Sequence, residues 1–188
     1  MNGYGAQGMW EPLERVLVRP PLDSDTGHVD RYGWRAAPDP AFDRLWARVA
    51  EHNTWLIGVR DREFLAWRFG AEPGKRHRYY VLEARAAGEL DGYAVCERAD
   101  TVLHVRDLLA ATPAALTRLL ARLMAAAYRE GVESVSLEFC DAAPVRAALL
   151  AAGMSPRDAR AVHASIAPAR ADALGACAWY LTCADEDA

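Results

Sequence analysis

Two side chains in the middle of this 188-residue sequence have the type and setting for proton transfer. His104 stands between Leu103 and Val105 in an apolar, strand-like run. An imidazole, with a reference pKa of about 6.5, exchanges its proton close to neutral pH. Glu138 alternates with Leu137 and Phe139, so it points to the other face of its strand. Each has a plainer reading: a hydrogen-bonded structural histidine, and a carboxylate on a solvated sheet face. A third group is Arg60, Trp67 and Arg68, set among Phe64 and Phe69. Guanidinium groups stacked on aromatic rings bind a substrate carboxylate or phosphate. The competing account has both arginines lying over buried aromatics with their charged ends in water.

The four cysteines, Cys96, Cys140, Cys177 and Cys183, form no Cys-x-x-Cys pair and no zinc spacing, so no metal is expected. Reduced thiols among apolar neighbours point to a reducing cytoplasm. A net charge of −4 argues against a nucleic-acid partner, which would require a concentrated basic face. No apolar run reaches roughly 18 residues. The first stretch carries Glu11, Glu14, Arg15 and Arg19, so neither a membrane span nor a secretory signal is expected.

The elements that must position these residues are readable from periodicity. Residues 1–40 are rich in proline and glycine and read as a largely irregular extension. It holds one short strand at Val16–Val18, stopped by Pro20-Pro21 and followed by turn chemistry at Asp23–Gly27. The remainder, 41–188, reads as the folded domain. Phe42, Leu45, Trp46 and Val49 make a helical stripe, and a second short helix is expected at Asp61–Phe69, ended by Pro73-Gly74. Tyr79–Arg85 and Leu90–Glu97 are joined closely enough to force an antiparallel hairpin. A strand at Val102–Asp107 leads to the longest helix. Thr112 is its N-cap, Pro113 its first residue, and Gly131 closes it. Ser134–Phe139 follows, making one parallel βαβ crossover. A helix at Ala142–Ala152 and strands at Ala161–Ile166 and Ala176–Cys183 complete an α+β chain with a mixed sheet.

This order resembles the GNAT (acyl-CoA N-acyltransferase) fold over residues 41–187. The hairpin with Gly92 is similar to that family's second and third strands. Val102–Leu108, Thr112–Glu130 and Ser134–Phe139 resemble its central strand, pyrophosphate-side helix and following strand. The run from Arg60-Asp61 through Phe64-Leu65, Trp67-Arg68-Phe69, Pro73 and Tyr80, with Asp107-Leu108-Leu109 and Trp179-Tyr180-Leu181-Thr182 before Asp185, is similar to the C-terminal half of larger bacterial GNAT proteins. Those proteins have two GNAT-like halves, and the cofactor signature usually lies in the first. Residues 1–35, from Tyr4-Gly5-Ala6-Gln7 through Pro20-Pro21 to Tyr32-Gly33-Trp34-Arg35, resemble the opening of dimethylargininase/amidinotransferase proteins, whose remaining chain has no counterpart here.

The GNAT resemblance implies an acetyltransferase using acetyl-CoA or another acyl-CoA, acting on a small amine or peptide-like substrate. A homodimer is conceivable. It places Val105, Arg106, Thr112, Ala114 and Ala115 at the cofactor, with the amides of Ala114 and Ala115 facing the phosphates. His104 or Glu138 would be the base, and Arg60, Trp67 and Arg68 would line the acceptor site. Two departures pull the other way. Arg106–Pro113 has no glycine where the family uses it for close phosphate approach, and Pro113 removes one N–H donor. Leu149 stands where the family's acid, a tyrosine, is usual. The alternative expectation is therefore a GNAT-like binding or dimerisation module without cofactor. An amidino-group hydrolase fragment, resting on residues 1–35 alone, is a third.

Overall fold

Alternation along two adjacent strands explains the layering of the molecule. In β3 (His77–Glu83) Tyr80 and Leu82 face one way, and Tyr79 and Val81 the other. All four are buried, so both faces of the sheet must be covered. The computed structural model describes residues 4–18, 31–70, 76–140, 143–157, 159–166 and 177–185, with the backbone alone for 4–11 and 160–166. In it, Tyr80 and Leu82 pack under α3 (Pro113–Arg129) and α4 (Ala143–Ala151), while Tyr79 and Val81 meet α1 (Pro40–His52) and α2 (Arg62–Gly70). Each helix begins or ends for a local reason. Asp39 caps α1 by accepting from the amide of Ala41, and Thr112 caps α3 by accepting from that of Ala115. Gly131, at φ +73°, supplies the left-handed turn after α3.

The described strands form one nine-stranded mixed sheet. β2 (Tyr32–Arg35), β3, β4 (Leu90–Ala99) and β5 (Val102–Ala110) are antiparallel in sequence order. β5 pairs in parallel with β6 (Ser134–Cys140) after the crossover through α3. The fold class and this parallel crossover agree with the sequence reading. Beyond β6 the order is unexpected. The next strand is β1 (Tyr4–Val16), antiparallel to β6 from Trp10↔Cys140 to Val16↔Ser134. Its outer edge carries β7 (Ser155–Pro156) and β8 (Arg160–Ile166).

The expectation of one short strand in an irregular stretch is corrected here. The strand is 13 residues long and ends at Val16, where Val16–Val18 had been expected, and residues 1–40 supply a second strand, β2. Proline at position 12 hid it, because proline is rare in sheet interiors. Leu13 is fully buried, so this strand belongs to the core. The expected strand at Ala176–Cys183 is also corrected: it reduces to β9 (Leu181–Thr182), preceded by a bridge between Trp179 and Leu56 and followed by a 3-10 turn, Cys183–Asp185. The Pro20-Pro21 stop, the Asp23–Gly27 turn and Pro73-Gly74 lie outside the described residues.

Candidate active site

β5 and β6 pair over four positions only, from Val102↔Ser134 to Val105↔Leu137. Both strands then run on separately: β5 reaches Ala110 alongside β4, and β6 reaches Cys140 alongside β1. Because β1 holds the far edge of β6 throughout, β9 pairs with β6 on the side facing β5, at Phe139↔Thr182 and Cys140↔Leu181. The C-terminal segment thus lies between the parted strands. The Tyr180 hydroxyl donates to the carbonyl of Leu108, and the Thr182 hydroxyl donates to Asp107 Oδ1 at 2.7 Å.

Asp107 is wholly buried, which costs energy unless its charge is matched. Arg60 matches it, donating Nε to Asp107 Oδ1 at 3.0 Å and Nη2 to Asp185. Tyr93 completes the set, its hydroxyl 2.7 Å from Asp107 Oδ2. Burial alone would lower the Arg60 pKa, but the charges of Asp107 and Asp185 override it and hold the guanidinium well above its ordinary value. Gly58 is needed beside this cluster: a Cβ there would sit 2.7 Å from Arg60 Nη1.

The expected substrate group of Arg60, Trp67 and Arg68 is therefore not brought together. Arg60 points inward to its two carboxylates and is fully buried. Arg68 donates to the carbonyls of Cys183 and Ala184, tying the C-terminal turn to α2. Trp67 is 67% exposed and touches Phe64.

His104 and Glu138 do share a face, the one opposite α3. His104 lies one residue before the strands part, and its Nδ1 is 2.7 Å from Ser136 Oγ on β6. Burial lowers its pKa below 6.5, with Arg106 adding to the effect against Glu97, Glu138 and Glu14. The imidazole is thus neutral at pH 7 and able to accept a proton. Glu138 accepts a weak contact from the Cys183 thiol at 3.9 Å.

The expected cofactor residues divide. Val105 is buried in the core under α3. Arg106 is turned to the opposite face, where both Nε and Nη2 reach Glu97 at 2.9 and 2.8 Å, so its place at the cofactor is corrected. At the start of α3 the donors are few. Pro113 has none, the amide of Ala115 goes to Thr112 Oγ1, and that of Leu116 to the Thr112 carbonyl. The amide of Ala111 is taken by Asp91 O. Of the two amides expected to face phosphate, Ala115's is engaged and Ala114's remains.

A cavity of about 630 Å³ opens at this helix start, walled by Trp55, Leu109, Leu116, Val145 and Tyr180. Trp55 and Tyr180 are stacked, 5.7 Å apart and 10° from parallel. Its size and apolar walls suit the pantetheine arm of an acyl-CoA. The start of α3 offers much less to the phosphates.

Residues 58–146 match the family model of the acetyltransferase (GNAT) domain, a stretch running from the loop before Arg60 through β5, α3 and β6 into α4. This stretch is similar to a GNAT domain. Solved structures with a similar fold include a GCN5-related N-acetyltransferase from Sphaerobacter thermophilus, 15% identical, with a TM-score of 0.54 over 86% of this chain and 52% of that one. Another is a GCN5-related N-acetyltransferase from Anabaena variabilis ATCC 29413, at 12% identity and a TM-score of 0.57, covering 85% of this chain and 40% of that one. A third, from Enterococcus faecalis V583, is described as a probable N-acyltransferase, at 13% identity, TM-score 0.53, and 82% and 39% coverage. At these identities the likeness is one of fold. The chain spans about half, or less, of the length of these proteins. No curated protein matches it in sequence.

Sequence reasoning missed Ser136, Tyr93, Thr182 and Asp185 as members of the site. The partners of Arg60 lie 47 and 125 residues away, beyond any local pattern.

Proposed function

We propose that this chain acts as a GNAT-type N-acyltransferase, moving an acyl group from acyl-CoA to the nitrogen of a small amine or peptide-like acceptor. The observation that carries the reading is the parting of β5 from β6 after Val105 and Leu137, with a cavity of pantetheine size at the start of α3 beside it. A thioester needs such a gap, where main chain on a parted strand edge holds its carbonyl. Acyl-CoA supplies the activated acyl group, and the chain supplies walls and a proton acceptor. His104 stands at the vertex of the parted strands. With Nδ1 donating to Ser136 Oγ, its Nε2 is left to take the proton of the acceptor nitrogen.

A second reading, a GNAT-like binding or dimerisation module without cofactor, is favoured by one observation. The space between the parted strands holds Tyr180 and Thr182, and behind them the buried Arg60–Asp107–Asp185 cluster. Titration with acetyl-CoA separates the two. A ligand at a hundred times its Kd stabilises the fold by about 2.7 kcal/mol, an upward thermal shift that is easily measured. Such a shift is expected. A flat response at millimolar acetyl-CoA, from protein that still melts cooperatively, removes the enzyme reading and leaves the module.

A further inference from the structure

Phosphates at this cavity need more donors than the Ala114 amide that the start of α3 leaves. Pro113 lacks an N–H, and the amides of Ala111, Ala115 and Leu116 are engaged within the protein. On the same wall Asp91 is bound by Arg118 Nη2 at 2.8 Å, so that ion pair is already matched. Across the mouth, the end of α1 presents Arg48 and His52, both exposed. One Nη2 hydrogen bond to the carbonyl of Leu90 fixes Arg48, leaving the rest of its guanidinium donors available. His52 is held one turn further on, its Nδ1–H on the carbonyl of Arg48 at 3.1 Å, so that Nε2 donates to a phosphate when the ring carries its second proton. The C-terminus of α1 carries about half a negative charge, outweighed by the full positive charge of the arginine.

We infer that Arg48 and His52, at the end of α1, form the phosphate-binding subsite of this cavity, taking over what the α3 amides would otherwise do. The inference rests on the acyl-CoA reading above. It specifies that the ligand enters with its apolar arm against Trp55 and Tyr180 and its diphosphate at the α1 side of the mouth.

The test compares two ligands on two proteins by calorimetry: acetyl-CoA and the phosphate-free S-acetylpantetheine, on the wild type and on the double variant Arg48→Gln, His52→Gln. For the variant, acetyl-CoA should bind at least about tenfold more weakly and with a shallower dependence on salt, as expected when a charge contact is lost. S-acetylpantetheine should bind wild type and variant alike, which also shows that the cavity is intact. Equal weakening of both ligands, or of neither, overturns the subsite while leaving the acyl-CoA reading in place. A wild-type protein that binds neither ligand removes that reading, and the subsite with it.

Discussion

Arg60 shows how far a residue's type is from its role. Two aromatic neighbours and a second arginine suggested a binding group, yet the side chain is sealed between Asp107 and Asp185 with Phe64 at 5.4 Å from its guanidinium carbon. Removing one member of a buried ion pair leaves the other charge unmatched and costs about 3–5 kcal/mol. Arg60→Met, which leaves the buried Asp107 without its cation, should lower stability by that amount in urea melts. A loss below about 1 kcal/mol would mean that water reaches Asp107. His104 is a milder case. Its pKa is lower in the folded chain than in the unfolded one, so the folded state binds the proton less readily. The stability this contributes is present above about pH 6.5 and is lost as pH falls from there through the folded value. His104→Gln should flatten that part of the stability–pH curve. An unchanged slope below pH 6.5 would place the acid sensitivity elsewhere.

The elements were legible where periodicity was long or caps were strong. The stripe from Leu116 to Met124, with Thr112 before it and Gly131 after it, specifies α3 almost to the residue. The β3–β4 hairpin and the β5–α3–β6 crossover followed for the same kind of reason. β1 was not legible, since Pro12 and two glycines in its first half mask a strand. Its importance is set by what it pairs with, and Cys140, Ser134 and Ile166 are more than a hundred residues away. Leu13→Ala tests this. In an irregular extension it would change stability by less than about 0.5 kcal/mol. In the core position seen here it should cost about 2–5 kcal/mol by thermal or chemical melt. The face that carries His104 and Glu138 was half legible: alternation put these two where they are, whereas Ser136 gave no signal beyond being a small polar residue in a strand.

For the whole molecule, the sheet is completed from both ends of the described chain. The central strands β3 to β6 come from the middle of the sequence and carry the GNAT match. The strand that joins β6 to β8 comes from the beginning, and the segment between β5 and β6 from the end. Acyl-CoA would have to share the parted strands with that last segment, so ligand affinity and the seating of Tyr180 and Thr182 are physically linked. The placement of β1 also has a cost in time. Of the described strands β1 is made before the rest, and roughly 120 residues must follow Val16 before β6 ends at Cys140. At about 5–20 residues per second that is roughly 6–25 s in which a strand bearing Leu13 has neither of its sheet neighbours complete. Through that interval the nascent chain carries an unpaired, partly apolar strand. Depletion of a chaperone that binds extended segments should therefore lower the yield of this protein.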